Sequence, residues 1–514
     1  MKRFMLGLAI AVGTVFLLHA LLLWWVQRTV RDRISSAATA CGAEWVAPER
    51  TTLAVDLLGG DIRIVDLRWV RTGSPMGSMP ALSGTLDSLF VVGLSYRRLY
   101  VDGIINMDRL LIHGSDITVE FHEAATTRST PSSIHGSSVK ELDFAFLRSN
   151  VVLQDSTRIA SGSLAVEGRS IGFDSTDFQA DVLEAKLLGT RVTPFADSIL
   201  TVQRIALSQS GTRLSMDSVV FGPADVRSVA AGVPIERDVI AGVVDRIVVA
   251  GIDPGSCKRG VVRARSIRID PAVLSVARDK LNADPPFKHK PLPARLLRAL
   301  PMNAGFDSVI IEAMDVSYYE RVDAVRGFAH IPFDSIAAVV TNLRHIQGDT
   351  LRMIAMAQAF DHTPVRLEMR CSVGDTSDRI FVNAMVGELR FARLNDVLAP
   401  LTGVATPEGR LDTLILRMTG DDALATAKCW MRYDGLRVDR RGRKGNVLDP
   451  VINGIMNAVV KGGRTGEKDG DGWTSYAWDR RRDRSLFNYL WAGVREGAKH
   501  SMLPQVVLDR TTNR

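Results

Sequence analysis

The sequence predicts a mainly β protein that begins with a transmembrane helix and ends in two helices. Three observations carry this. Phe4 to Val26 contains no charged residue. Most of the remaining chain alternates apolar and polar residues with a period of two, as strands with one wet face do. Only after residue 445 do apolar residues recur at helical spacing.

The segments follow in order. Residues 1–27 read as an anchor: as a helix at about 1.5 Å per residue, the uncharged run is long enough to cross about 30 Å of hydrocarbon. Lys2 and Arg3 precede it, Trp24 and Trp25 stand at its far edge as an interface belt would, and Arg28, Arg31 and Arg33 follow. A cleaved signal peptide is the alternative, with Ala38-Thr39-Ala40 before Cys41 as the processing site. The length of the run favours an uncleaved anchor. Residues 28–50 are a polar linker.

Residues 51–283 form a first β-rich region. Thr52 to Leu58 and Asp61 to Trp69 make a hairpin at Gly59-Gly60. Within Leu110 to His122, Ile117, Val119 and Phe121 alternate with Asp116, Thr118, Glu120 and His122. Ala124 to Ser138, rich in Ser and Thr, reads as a loop, and Pro271 to Lys280 as one short helix. Residues 284–301 are a proline-rich linker holding a short basic helix that stops at Pro301.

Residues 302–445 form a second β-rich region. Phe306-Asp307-Ser308 and Phe333-Asp334-Ser335 each open a β segment, the Asp accepting bonds from backbone N–H groups in a turn. Related steps occur at Leu86-Asp87-Ser88, Met216-Asp217-Ser218 and Leu411-Asp412-Thr413. Val365, Leu367 and Met369 alternate with charged residues, and Leu414 to Thr419 pairs with Ala423 to Tyr433 around Gly420-Asp421-Asp422. Residues 446–500 carry two helical stripes, one from Leu448 to Val459 and one through Leu486, Phe487, Leu490, Trp491 and Val494. Residues 501–514 are a tail.

At 514 residues with 46% hydrophobic and 24% charged content, the chain is ordered or membrane-attached. Its net charge of +7 is scattered, and no finger, helix-turn-helix or RNA-binding signature accompanies it, so nucleic acid is not an expected partner. Cys41, Cys257, Cys371 and Cys429 lie far apart without His at ligand spacing, so no metal is expected, and Cys371 and Cys429 read as buried thiols. Phosphate loops, nucleophile elbows, dinucleotide fingerprints and zinc-protease motifs are absent, so the expectation is a non-enzyme with no catalytic residue and no cofactor. Two basic runs, Arg437 to Lys444 and Asp479 to Arg484, are either solvated turns or contacts for phosphate headgroups.

Five segments taken together resemble the AsmA-like proteins of Gram-negative bacteria, in the variant associated with Bacteroidetes-type envelopes. They are LPARLLRALP from Leu292, FDSVIIEAMDVSYYE from Phe306, FDSIAAVVTNL from Phe333, the run from Glu408 to Val438, and RDRSLFNYLWAGVREGAK from Arg482. The resemblance implies an extended, bent antiparallel sheet with an apolar groove, anchored in the inner membrane with its bulk in the periplasm. It also implies a part in outer-membrane biogenesis, through phospholipid movement. Membrane lipids and envelope assembly proteins are then the expected partners, and a non-catalytic scaffold for outer-membrane assembly is the rival role.

The groove residues expected from alternation are Ile117, Val119, Phe121, Val309, Ile311, Val365, Leu367, Met369, Leu414 and Leu416. Arg440, Arg441, Arg443, Lys444, Phe487 and Trp491 are expected to touch headgroups or a partner. Alternation fits an ordinary β-sandwich equally well, because the same residues then pack against a second sheet.

Overall fold

The structure, a computed structural model, describes residues 20–502 apart from 37, 40–41, 58, 73–80, 122–135, 154–157, 175–177, 193–198, 208–211, 254–260, 300–302, 345–348, 361 and 441–471. The chain is mainly β and divides into two compact units, Met1–Phe221 and Gly222–Arg514. Most of the run read as an anchor lies outside the described residues. The described part, residues 20–36, is helical, and no described helix is long and apolar enough to cross a membrane.

In the first unit β1 (Ala43–Val46) and β2 (Thr52–Asp56) pair with opposite ends of β3 (Asp61–Arg71). The hairpin at Gly59-Gly60 forms as expected, closed by Gly60 N–H donating to the Asp56 carbonyl at 3.0 Å, with Gly60 at φ 74°. β4 (Ala81–Val92) and β5 (Ile104–Phe121) continue the antiparallel ladder. β6 (Gly136–Leu153) then pairs with β5 in parallel. The antiparallel order resumes through β7 (Arg158–Asp174), β8 (Phe178–Gln179), β9 (Val182–Val192), β10 (Ile199–Leu207) and β11 (Arg213–Phe221). One core cluster joins Ile64, Leu67, Leu86, Ile117 and Phe146, with Ile34 of the helix packed against it. Gly114 makes room for this cluster, since a Cβ there would stand 2.2 Å from the Phe146 ring.

The second unit opens with a helix, Val226–Gly232, capped by Asp225, which accepts from Arg227 N–H. β12 (Asp238–Ala250) pairs antiparallel with β13 (Val261–Ile269) along one half and with β14 (Ala272–Asp279) along the other. Both also lie parallel to β15 (Asn303–Asp323), in one continuous register. β13 and β14 therefore act as one strand broken at Asp270-Pro271, where proline has no N–H to give the ladder. This corrects two expectations. Pro271 to Lys280 is strand rather than helix, because Val273 to Arg278 find ladder partners on both sides. The sheets are mixed rather than purely antiparallel: β13 and β14 run parallel to β15 and β6 to β5, and the connecting residues 280–302 and 122–135 are each long enough for the crossover of about a dozen residues that a parallel pair needs.

β16 (Gly327–Arg344), β17 (Thr350–Ala359), β18 (Thr363–Ser372) and β19 (Ile380–Val386) follow as antiparallel neighbours. β20 (Leu389–Arg390) runs into a helical turn and a short helix, Asn395–Thr402; β21 (Val404–Ala405) comes next. β22 (Arg410–Gly420) pairs with β19 and with β23 (Leu424–Asp434), forming the expected hairpin, in which Asp421 accepts from Ala423 and Leu424 N–H at 2.8 and 3.0 Å. β24 (Asp439–Arg440) pairs with β21, and β25 (Thr474–Asp479) with β23. A helix, Leu486–Met502, follows. The helical stripe expected from Leu448 to Val459 lies outside the described residues.

The Asp-Ser steps sit inside strands, not at their starts. Phe306-Asp307-Ser308 lies within β15 and Phe333-Asp334-Ser335 within β16. Ser335 and Ser218 take left-handed backbone at φ 52°, and register shifts mark Leu86/Ser88, Asp334/Ala337 and Leu411/Thr413. At one of these steps Ser335 N–H donates to Asp315 of the neighbouring strand at 2.8 Å. Such bulges bend and twist a long strand without ending it.

Candidate functional site

In the second unit, strand register turns the sequence alternation into apolar rungs. Val365 stands opposite Val386, Val386 opposite Leu414, and Leu414 opposite Met431. The next rung runs Leu367, Ala384, Leu416 and Cys429. Directly opposed residues share a face, so every rung presents the same side of the sheet.

Two segments cover that side. Leu292, at the N-cap of the basic helix Pro293–Arg298, and Ala294 and Leu297 within it are buried in the same core as Met369, Cys371 and Met418. Along the helix Leu486–Met502, Tyr489, Gly493, Gly497 and Ser501 recur every four residues and are buried. The glycines set the spacing of helix and sheet: a Cβ on Gly497 would lie 2.5 Å from Tyr476 Oη and 3.0 Å from Cys429 Cβ, and one on Gly493 would lie 2.9 Å from Trp478. Tyr476 Oη donates to the Gly493 carbonyl at 2.7 Å. Burial pushes the phenol of Tyr476 well above its ordinary range and the thiols of Cys371 and Cys429 up to about 11.

The other flank of the helix, with Leu490, Val494 and Met502, packs against the same core but leaves a space beside the sheet. Between them lies a cavity of about 700 Å³, in the range of about 300 to 1,000 Å³ common to small-molecule sites. Its floor is the two rungs apart from Cys429, and Leu490, Val494 and Met502 of the helix form one wall. Leu394 and Leu398 form another, and Phe487 reaches Tyr318 and Phe333 with ring centroids at 5.7 and 6.3 Å. Thr363, Arg495 and Lys499 are the polar lining residues. Both cations reach the same carboxylate, Arg495 Nη2 at 3.1 Å and Lys499 Nζ at 3.0 Å from Glu496 Oε1. Burial resists ionisation of Glu496, yet the hydrogen bonds from Lys499 and Arg495 hold its carboxyl below the ordinary range.

Ion pairs fix the approach to this helix. Arg480 meets Asp422 and also donates to the Lys290 carbonyl, while Lys290 N–H donates to the Arg482 carbonyl at 2.8 Å. Arg484 and Arg278 share the buried carboxylate of Glu236 at 2.7 and 2.5 Å. Arg295 and Arg298 meet Asp378, which is fully buried. The basic run Asp479 to Arg484 is thus divided: Arg480 and Arg484 are buried in ion pairs, and Arg481 and Arg482 are exposed.

Of the residues expected from the sequence, Val365, Leu367, Leu414, Leu416, Phe487 and Trp491 come together around the cavity. Met369 is buried in the adjoining core. Val309 and Ile311 lie across the β15 ladder from Val340 and Ala338, apart from the cavity lining. Ile117 and Val119 belong to the core of the first unit, and Phe121 pairs in register with Leu153 of β6. Arg440 pairs with Val404 in a two-stranded ladder. Arg441, Arg443 and Lys444 lie outside the described residues.

No family model matches the sequence, and no curated protein matches it.

Sequence reasoning missed Val382, Ala384 and Val386, because Ile380 to Val386 is an almost continuous apolar run broken only by Asn383 and shows no period of two. It also missed Gly493 and Gly497, whose spacing of four within an apolar helix signals a close approach.

Proposed function

We propose that the chain is a membrane-anchored, AsmA-like protein of a Gram-negative envelope, held in the inner membrane with its bulk in the periplasm. In this reading it handles or transfers phospholipid during outer-membrane biogenesis and catalyses no reaction. The observation that carries the lipid role is the cavity of about 700 Å³ between the rungs and the helix Leu486–Met502, with few polar side chains at its wall. A lipid tail gains about 0.8 kcal/mol for each methylene removed from water, and an apolar wall costs it no unsatisfied hydrogen bond. The uncharged run Phe4 to Val26 supports the anchor.

Full-length protein purified in mild detergent is expected to carry phospholipid detectable by native mass spectrometry. Ala384→Phe, which places a ring in the cavity, is expected to lower the lipid-bound fraction while leaving far-UV circular dichroism intact. Wild-type protein that carries no lipid after exposure to phospholipid vesicles would overturn the proposal.

A further inference from the structure

A second recess of about 250 Å³ shares Trp491 and Arg495 with the apolar cavity. Its chemistry is different. Lys280, Arg481 and Arg495 line it together with Asp479 and Glu496. Trp491, which has an apolar body and a polar N–H, stands at the boundary between the dry space and the charged one.

Each cation already touches a carboxylate: Lys280 meets Glu320 at 2.6 Å, Arg481 meets Asp483 at 3.3 Å, and Arg495 meets Glu496 at 3.1 Å. A guanidinium has five donors, so these pairings leave both arginines N–H groups to give. Arg495 is exposed yet also lines the apolar cavity, as long basic side chains do at a lipid boundary.

Resting on the reading of the cavity as a seat for lipid tails, we infer that this recess is the seat of a phosphate-bearing headgroup. Arg495 and Arg481 donate paired N–H groups to the phosphate oxygens, and Lys280 adds a point charge. Volume separates this ligand from a fatty acid. At about 30 Å³ per water, 250 Å³ holds roughly eight waters, which a lone carboxylate would leave mostly in place and a phosphoester headgroup would displace. A ligand held at both ends is taken up one molecule at a time and read by its headgroup.

The test incubates the full chain in a neutral maltoside detergent with phosphatidylglycerol, diacylglycerol and free fatty acid of the same chain length, and counts captured lipid by mass spectrometry. Wild type is expected to prefer phosphatidylglycerol over diacylglycerol by about tenfold or more, the worth of one charge-assisted hydrogen bond. The double variant Lys280→Gln/Arg481→Gln is expected to lose most of that preference. Equal capture of phosphatidylglycerol and diacylglycerol by wild type, or an undiminished preference in the variant, overturns the headgroup seat and leaves the cavity reading standing. Preferential capture of fatty acid overturns the phosphate assignment. Capture of none of the three overturns the cavity reading itself.

Discussion

Gly497→Ala isolates the contact that holds the helix Leu486–Met502 against the sheet. In most helices this change stabilises, by about 1 kcal/mol of intrinsic propensity. Here the added methyl would stand 2.5 Å from Tyr476 Oη and 3.0 Å from both Cβ and Sγ of Cys429. Neither neighbour yields easily. Tyr476 is stacked between Trp478 and His500, with centroids at 5.6 and 5.3 Å, and Cys429 Cβ is fixed by its strand. Overpacking of this kind costs about 1 to 3 kcal/mol, and losing the Tyr476 to Gly493 bond adds about 1. Set against the propensity gain, the net loss is about 1 to 3 kcal/mol. Urea unfolding measures it, and hydrogen exchange is expected to show faster exchange along Leu486–Met502 than along β22. Adding Tyr476→Phe, which removes the nearest clashing atom, is expected to recover part of the loss. A Gly497→Ala protein as stable as wild type, or more so, would refute the argument that this helix is seated by its glycines.

Two further predictions follow from buried and strained groups. Burial resists ionisation of Glu236, but the bonds from Arg484 and Arg278 hold its carboxyl below the ordinary range. A carboxyl depressed on folding stabilises above its unfolded value, near pH 4.3, and loses that contribution as pH falls through the folded value. Glu236→Gln is therefore expected to cost about 3 to 5 kcal/mol at neutral pH, and the gap from wild type is expected to narrow as urea titrations move from pH 5 towards pH 3. Ser335 is exposed and left-handed at φ 52°, so Ser335→Gly is expected to raise stability by about 1 kcal/mol and Ser335→Val to lower it, as read by thermal unfolding.

The period-two pattern made most of the architecture legible. The hairpins at Gly59-Gly60 and at Gly420 to Asp422 formed where turn chemistry placed them, because both signals are local. The strand at Ala272–Asp279 was not legible, since Pro271 begins it and its pairing depends on two distant strands, β12 and β15. The Asp-Ser steps carried real information about irregularity, but a bulge and a turn use the same residues, and only the partner strand tells them apart. Half of the cavity was visible in the alternation of β18 and β22. The polar recess was not, because Lys280 reaches Arg495 only through the tertiary fold.

The ion pair between Glu236 and Arg484 joins residues 248 positions apart. At a synthesis rate of about 5 to 20 residues per second, Glu236 waits roughly 12 to 50 seconds on the ribosome before Arg484 exists. The last rung residue, Met431, precedes Arg484 by 53 positions, so for about the final 3 to 11 seconds of that interval the completed apolar rungs have neither their closing helix nor the strap that locks it. The nascent chain therefore passes through a stage in which its greasiest surface is on offer to whatever is nearby, whether a chaperone or a bilayer, and the last step of maturation is the withdrawal of that surface.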